Sequence, residues 1–361
     1  MSPTATLPSP DTVEAFGKRL LDIINHGAIG IGLSVGHRTG LFDQMAGREG
    51  GTSMDIAQGA GLDERYVREW LGAMVTARIV DYEPTSGRYS LPTEHAALLT
   101  RAASPDNMAV TAQWLAVLAG VEDRIVECFH TGGGVPYEAF DRFHEVMAED
   151  SAQTVVSALF DHILPLAPEL PGRLRDGIDV MDIGCGRGRA LLAMASEYPS
   201  SRFQGYDLSS VAIEAARAEA TAMGLDNIAF DEADAAWLLD EDRFDLVTAF
   251  DIVHDQAEPD RVLANLHRAV RPSGLLLVQD IATHTDLEKN LDHPLGPFLY
   301  TLSYTHCMTV SLAQGGAGLG TCWGRELAER MLTEAGFGEV EVHSLDHDIQ
   351  NFFYLARPGG G

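Results

Sequence analysis

The chain has 361 residues, with 25 basic and 53 acidic side chains and a formal net charge of −28. Its length predicts two domains, or one domain with a large addition, and its 45% of hydrophobic residues is enough to form a buried core. Binding to nucleic acid or to an anionic membrane needs clustered lysine and arginine, so the acidity argues against both partners.

Three further features of the composition predict a cytoplasmic protein. Residues 1–10 are rich in Ser, Thr and Pro and lack the charged and apolar segments of a signal peptide. No stretch of about 18 uncharged apolar residues could span a membrane. The four cysteines include no C-x-x-C pair, which favours reduced thiols over a disulfide framework.

Residues 1–105 have the pattern of a winged helix. Apolar and small residues over 13–45 predict helices interrupted near the glycines, and a short helix is expected at 54–58. Asp63 is a typical N-cap residue and begins a helix with an apolar face. That face consists of Val67, Trp70, Leu71 and Met74. Residues 80–82 and 89–91 then alternate around a turn at 84–87, as expected for a two-stranded wing.

The charge of this region bears on whether the winged helix binds DNA. Residues 1–100 hold 8 basic and 12 acidic side chains, a net charge of −4. The helix that would read DNA carries Asp63, Glu64 and Glu69 beside only two arginines, Arg65 and Arg68. A packing or dimerisation module is therefore favoured over a DNA reader.

Residues 106–172 are expected to form a helical bridge. Trp114, Leu115 and Leu118 lie on one predicted helix face, and three glycines at 132–134 interrupt the helical pattern. A second helix is predicted from Tyr137 to Leu164, before prolines at 165, 168 and 171 mark a linker.

The pattern changes to alternating strands and helices in the third region, residues 173–361. Strands are predicted at 178–183, 202–206, 228–230, 244–250 and 274–279, and helices at 190–198, 211–223 and 261–270. This alternation predicts an α/β fold with a mostly parallel sheet covered by helices on both faces.

A glycine-rich loop follows the first of these strands, in the sequence Asp-Ile-Gly-Cys-Gly-Arg-Gly at 182–188. Glycine lets a ligand approach the backbone, and the start of the next helix offers unpaired N–H groups. Asp207 ends the second strand about 20 residues later, where a carboxylate can bind both hydroxyls of a ribose. The sequence therefore predicts a site for a ribose-bearing cofactor.

The loop resembles that of class I S-adenosylmethionine-dependent methyltransferases. A dinucleotide-binding loop would need glycine at 189, where this chain has arginine, whereas G-x-G-x-G after an acid is the methyltransferase pattern. The resemblance extends over about 178–361 and includes Asp-Ala at 234–235, Phe-Asp-Leu-Val at 244–247 and Arg-Pro-Ser-Gly at 271–274. It implies a Rossmann-like, mostly parallel seven-stranded sheet whose last strand is antiparallel, with a terminal pair at 338–343 and 352–356.

The same resemblance implies S-adenosylmethionine as the cofactor and assigns residues to it. The expected contacts with the methionyl part are Asp182, Gly184, Cys185, Gly186 and Gly188. Asp207 would hold the ribose, and Asp234 with Ala235 the adenine; Leu208 and Phe250 are further expected contacts. The residues alone leave an alternative open, in which Asp207 and Asp234 are only turn or helix-capping acids.

The candidate catalytic residues, Asp251 and His254, follow the fourth strand of the domain. Plant-type small-molecule O-methyltransferases join a winged-helix dimerisation domain to this fold and place a His-Asp pair here, followed by Trp, with the histidine as base. This chain has Gln256 instead of Trp, so the mechanism does not transfer automatically. Alignment and proximity can supply most of a methyl transfer, and a base is needed only if the acceptor must lose a proton. A structural or helix-capping histidine is the alternative.

A long insertion at 281–323 is expected to cover the substrate. With the helical bridge it supplies the candidate substrate residues, which are Tyr137, Phe140, His293, Phe298, Tyr304 and His306. No metal is expected, because the histidines and Cys307 show none of the local spacing typical of metal ligands.

The whole layout resembles a bacterial family of winged-helix methyltransferases with a mycobacterial member and nematode relatives. The resemblance implies methyl transfer from S-adenosylmethionine to oxygen or sulfur of a small molecule, by a homodimer formed through the N-terminal half. Two alternatives stay open: a cofactor-binding transcriptional sensor that uses the winged helix, and a relative with non-methylating chemistry.

Overall fold

The computed structural model describes residues 12–346 and 348–359 and divides the chain into two compact units, Met1–Ala116 and Val117–Gly361. The region predicted as a helical bridge, residues 106–172, is shared between these units. The Ser/Thr/Pro-rich residues 1–10, on which the signal-peptide prediction was based, lie outside the described residues.

The first unit is a winged helix. Its elements are α1 Val13–Thr39, α2 Leu41–Met45, α3 Ser53–Ala60, α4 Glu64–Thr76, β1 Asp81–Glu83, β2 Arg88–Ser90, α5 Thr93–Ala96 and α6 Met108–Thr111, and α7 Gln113–Ala119 begins in it. Asp63 caps α4 as predicted, because its carboxylate accepts from the backbone N–H groups of Arg65 and Tyr66. The two wing strands pair antiparallel. The predicted apolar face of α4 is buried.

The predicted interruption of the helices over 13–45 occurs at Gly40 only, since α1 runs unbroken for 27 residues to Thr39 and α2 begins directly after Gly40. Close packing explains Gly36, which lies inside α1. A Cβ on Gly36 would lie 2.5 Å from the ring of Phe42 and 2.6 Å from that of Trp70. The Trp70 indole also donates to the carbonyl of Gly32 at 2.9 Å. Glycine is used here to let two large aromatic rings approach the helix backbone.

The second unit contains a seven-stranded sheet between helices. Its strands are β3 Asp179–Ile183, β4 Arg202–Asp207, β5 Ile228–Glu232, β6 Phe244–Phe250, β7 Val270–Ile281, β8 Phe337–Leu345 and β9 Asp348–Pro358. Its helices are α8 Glu122–Thr131, α9 Phe143–Ser151, α10 Leu170–Asp176, α11 Arg189–Glu197, α12 Ser210–Met223, α13 Pro259–Ala269, α14 Gly296–Leu302, α15 Met308–Ala313 and α16 Arg325–Glu334.

The sheet confirms the predicted fold class. The strand order is β5-β4-β3-β6-β7-β9-β8, and the first five strands run parallel while β9 pairs antiparallel with both of its neighbours. Successive residues of β3 face opposite sides: Val180 packs in the core that holds α11 and α12, and Met181 in the core that holds α13 and α16. Helices therefore bury both faces of the sheet.

The predicted helix from Tyr137 to Leu164 was wrong as a single element. The segment consists of short 3₁₀ turns at Tyr137–Ala139 and Leu164–Leu166, helix α9, and two wide π-type turns at Ala152–Val156 and Leu159–Ile163. Arg142 adopts a left-handed backbone with φ of 64°, which separates the first turn from α9.

Within the described residues, no helix is both long and apolar enough to cross a bilayer. The four cysteines are free thiols.

Candidate active site

Strand register places the predicted site residues at one edge of the sheet. Asp182 in β3 lies opposite Gly205 in β4 and Thr248 in β6, and all three strands run in the same direction. The glycine loop, Asp207 and the segment after β6 therefore all begin at the carboxyl edge. This is the edge where ligands bind in open α/β sheets.

The glycine loop and Asp207 are in direct contact. One carboxylate oxygen of Asp207 accepts from the backbone N–H of Gly186 at 2.7 Å, and the other from Ser209 at 2.8 Å. Gly188 precedes the first residue of α11, and a Cβ there would lie 2.5 Å from the ring of Phe230. The loop thus keeps an open backbone beside a carboxylate and a helix N-terminus.

Asp182 is a buried carboxyl group behind this loop. The hydroxyl of Thr248 donates to it at 2.6 Å, and the group is 3% exposed. Burial raises the pKa of Asp182 to about 7, the hydrogen bond from Thr248 opposes that rise, and the nearby charge of Asp207 adds to it. A positive ligand group at this edge would favour the ionised form.

The residues expected to contact adenine lie after β5. Asp234 is exposed and caps the short turn Ala235–Trp237 by accepting from the N–H of Ala236 at 2.9 Å, which is the capping role left open by the sequence. Ala235 is buried, and its carbonyl accepts from the Asn265 amide at 3.0 Å. Of the two further expected contacts, Leu208 is exposed, whereas Phe250 is half-buried and packs against the core.

His254 lies in a buried turn after β6 and is held by two carboxylates. Its Nδ1 is 2.7 Å from Asp280, and its Nε2 is 3.3 Å from Asp255. The same oxygen of Asp280 also accepts from the Trp323 indole at 3.0 Å. Burial by itself lowers the pKa of His254, but Asp280 and Asp255 outweigh it and raise the pKa well above its usual value. Because Asp280 accepts from Nδ1–H, Nε2 is the nitrogen left to exchange a proton.

Asp251 lies beside His254 and Asp280 and has a strained backbone. Its φ is 55°, in the left-handed region that is unfavourable for a residue with a side chain. The Gln279 amide donates to one of its oxygens at 3.2 Å, while the other is buried with no hydrogen-bond partner in the described chain. Burial, followed by the charge of Asp280, raises the pKa of Asp251 well above its usual value.

Three predicted substrate residues come together near His254. The hydroxyl of Tyr137 donates to Asp255 at 3.0 Å. The ring of His306 stacks on Phe143 at 4.4 Å and meets Tyr137 and Phe140 edge-on at 5.5 Å and 4.7 Å. Burial lowers the pKa of His306 to about 4, so this ring is neutral and acts as one more aromatic surface.

The other three predicted substrate residues make different contacts. Tyr304 packs edge-on against Phe129 at 6.0 Å. His293 accepts from the backbone N–H of Leu295 at 3.1 Å, inside its own turn. Phe298 is half-buried in α14.

The insertion at 281–323 is docked onto the segment that carries His254. The N–H of Gly320 donates to the carbonyl of His254 at 3.2 Å, and that of Ala317 to Ala257 at 2.9 Å. A Cβ on Gly316 would lie 2.3 Å from the Cα of Ala257, so glycine permits this close approach. Gln256 stabilises the turn after β6, because its amide donates to the carbonyl of Ile252 at 3.1 Å.

Sequence reasoning missed Asp280 and Trp323. Asp280 lies near the carboxyl end of β7, and that position at the ligand-binding edge was a usable signal. Trp323 closes the insertion, and no local pattern connects it with an acid 43 residues earlier.

Comparison with known proteins identifies both domains. Residues 27–101 match the sequence model of the Rv2258c-like winged HTH domain, and residues 174–336 match that of a methyltransferase domain. The chain therefore combines a winged helix-turn-helix domain with a domain of the methyltransferase fold.

Individual relatives agree with this assignment. Methyltransferase GfsG of Streptomyces halstedii is 32% identical over 114 residues, which cover 31% of this chain and 41% of that protein. The matched segments span 31% to 41% of the length of the first curated relatives. An O-methyltransferase family protein from Burkholderia thailandensis has a similar fold, with a TM-score of 0.70 at 16% identity over 98% of this chain and all of that one. Human N-acetylserotonin methyltransferase, solved with S-adenosylmethionine, gives 0.68 at 18% identity over the same shares.

The buried carboxyl group of Asp182 predicts a pH-dependent stability. Its pKa is about 7 in the folded protein against 3.8 for an ordinary Asp, so ionising it costs roughly 4 kcal/mol of folding free energy. This cost is absent below about pH 4 and complete above about pH 7. Asp182→Asn, which keeps an acceptor for Thr248, should be more stable than the parent at about pH 8, with the difference shrinking at about pH 5.

Urea denaturation of the ligand-free protein at the two pH values measures this difference. Asp226→Asn, at an exposed position, is the matched control and should follow the parent. Parallel pH dependence of Asp182→Asn and the parent would show that this carboxyl group does not titrate in the folded state.

Proposed function

We propose that the protein transfers a methyl group from S-adenosylmethionine to an oxygen or sulfur atom of a small molecule. The observation that carries the proposal is the position of His254. This buried histidine is oriented by Asp280 at the same sheet edge as the glycine loop and Asp207. A cofactor cradle beside an oriented base is what methylation of a hydroxyl or thiol needs.

The residues at the carboxyl edge fit S-adenosylmethionine, which supplies an activated methyl group on a positively charged sulfur. The open backbone at 184–188 and the start of α11 would receive its methionyl part, beside Asp182 and Cys185. Asp207 would exchange its backbone hydrogen bonds for ribose hydroxyls, with Leu208 beside it. Asp234 and Ala235 would contact the adenine, and Phe250 is the last of the proposed cofactor contacts. The carboxylates of this edge are the charges that a sulfonium prefers.

His254 would act as the general base. Because the neighbouring carboxylates raise the pKa of His254, the ring must first lose its Nε2 proton to solvent. Once the ring is neutral, with Nδ1–H donating to Asp280, the lone pair of Nε2 can accept the proton of an acceptor O–H or S–H group. The imidazolium formed is then stabilised between Asp280 and Asp255. Asp251 would flank the acceptor, since its second carboxylate oxygen has no hydrogen-bond partner in the described residues.

The surroundings of His254 favour an aromatic or otherwise apolar acceptor such as a phenol. Tyr137, Phe140 and His306 form an aromatic wall beside Asp255. The docked insertion would exclude water, with His293, Phe298 and Tyr304 as further parts of the cover.

Removal of the base gives the direct test of this mechanism. His254→Ala should lower kcat by roughly 100-fold or more while leaving cofactor affinity unchanged, because the imidazole is needed only for proton transfer. Asp280→Asn should lower kcat less, since the ring stays but loses its orientation. Product formation is measured by mass spectrometry with isotopically labelled S-adenosylmethionine and a panel of phenols, carboxylic acids and thiols.

His130→Ala, at an exposed position of α8, is the control and should keep full activity. Unchanged turnover in His254→Ala would remove this residue from the mechanism. Absence of any labelled product from the parent would count against methyl transfer itself.

We also propose a cytoplasmic homodimer that forms through the N-terminal unit. Helix α1 presents a row of exposed apolar side chains at helical spacing, namely Phe16, Leu20, Ile24, Ile31 and Val35. Such a row on one long helix is typical of a helix that packs against a partner. A second copy of this chain fits better than DNA, because the acidic side chains of the winged helix repel phosphates. The free thiols support the cytoplasmic location.

Charges in this row should prevent the dimer. The double substitution of Leu20→Glu and Ile24→Glu places two carboxylates where the apolar surfaces would meet, so the protein should elute as a monomer in size-exclusion chromatography with light scattering. Lys18→Glu, which changes charge without removing apolar surface, should stay dimeric. A monomeric parent, or a double variant that remains dimeric, would contradict an interface on this face of α1.

A further inference from the structure

We infer that His254, Asp255 and Cys307 form a binding site for a borderline-soft divalent cation such as Zn²⁺, and that cation binding and the base function of His254 exclude each other. The three side chains come from the turn after β6 and from the insertion. Each offers one donor atom, and these atoms all lie within 4.8 Å of one another.

The spacing of the donor atoms suits a tetrahedral centre. With bonds of about 2.0 to 2.3 Å, two ligands of a tetrahedral zinc ion lie about 3.3 to 3.7 Å apart. Nε2 of His254 and the nearer oxygen of Asp255 are separated by 3.3 Å. Cys307 is close enough to complete the triangle with a small movement of its side chain.

The outer contacts are those of a metal site. Ligating histidines usually donate their second ring N–H to a carboxylate, and Asp280 occupies this position at 2.7 Å from Nδ1 of His254. One oxygen of Asp255 accepts from Tyr137 at 3.0 Å. The other oxygen, which faces His254, is buried and has no hydrogen-bond partner among the described residues. A cation would satisfy this oxygen.

The donor set selects the class of cation. Magnesium and calcium prefer oxygen ligands, whereas one nitrogen, one sulfur and one carboxylate oxygen are typical of zinc and of cobalt used in its place. The thiolate and the carboxylate together neutralise a divalent charge. Three protein ligands leave a fourth position for water or a substrate atom.

Cation binding changes the state of His254. Bonds form from the metal to Nε2, to the thiolate of Cys307 and to Asp255, while the thiol proton and any proton on Nε2 leave to solvent. Nε2 then has no lone pair for an acceptor proton. Zinc should therefore inhibit the proposed methyl transfer, and a chelator should restore it.

Cobalt titration of the full-length protein without cofactor tests the site independently of methyl transfer. One equivalent of Co²⁺ should produce the near-ultraviolet sulfur-to-cobalt absorption and the visible bands of a tetrahedral centre. Cys307→Ser should lose the sulfur-to-cobalt absorption, and His254→Gln should bind at least 10-fold more weakly. Cys128→Ser removes a thiol in α8 that is not part of the proposed site, and this variant should behave like the parent.

Circular dichroism and thermal unfolding establish whether each variant is folded. If Cys307→Ser does not fold, the cation site is tested with His254→Gln alone. No cobalt bands in the parent, or bands that persist unchanged in both Cys307→Ser and His254→Gln, would overturn the site. Binding without inhibition of an active enzyme would overturn the mutual exclusion. If the parent transfers no methyl group, the cobalt bands still decide whether the cation site exists.

Discussion

The candidate site depends on the parallel register of β3 with its two neighbours. Asp182 is paired on one side with Gly205 and on the other with Thr248, so the three strands end at the same level. At this edge β3 continues into the glycine loop, β4 ends at Asp207, and β6 continues into the turn that contains His254. A slip of one residue in this register would turn these side chains to the opposite faces.

Acidic side chains are concentrated around this edge of the sheet. Asp255 and Asp280 flank His254, and burial raises the pKa values of Asp182 and Asp251. Burying carboxylates without compensation is unfavourable. The sulfonium of the proposed cofactor would provide positive charge on one side of this edge. On the other side it would come from the imidazolium of His254 or, in its place, from the proposed divalent metal. The net charge of −28, which argues against nucleic acid as a partner, thus also fits a site built for positive groups.

Much of the fold could be predicted because its determinants are local. Alternating apolar strands, helix caps such as Asp63 and the glycine loop each depend on a few neighbouring residues. The same local rules failed where packing decides. Gly36, which would weaken an isolated helix, is used in α1 to admit Phe42 and Trp70. The segment predicted as a single helix from Tyr137 is interrupted at Arg142. The left-handed backbone of this residue could not be predicted, because arginine has no preference for that conformation.

The candidate site was predictable only in part for the same reason. Asp207 ends β4 and His254 lies in the turn after β6, so their shared edge could be expected. The partners of His254 come from distant segments: Asp280 is 26 residues away, and Cys307 belongs to the insertion. The approach of Cys307 depends on docking of the insertion, in which Gly316 packs closely against Ala257 and the N–H of Gly320 donates to the carbonyl of His254. Metal-ligand spacing rules could not find a set assembled in this way.

Calorimetric titration with S-adenosylmethionine tests directly whether this sheet edge is a cofactor site. One cofactor per chain is expected for the parent and for Asp226→Ala. Asp207→Ala should bind roughly 10- to 100-fold more weakly, because the proposed charged hydrogen bonds to the ribose are lost. No binding to the folded parent, or equal affinity of Asp207→Ala and the parent, would contradict a cofactor site at this edge.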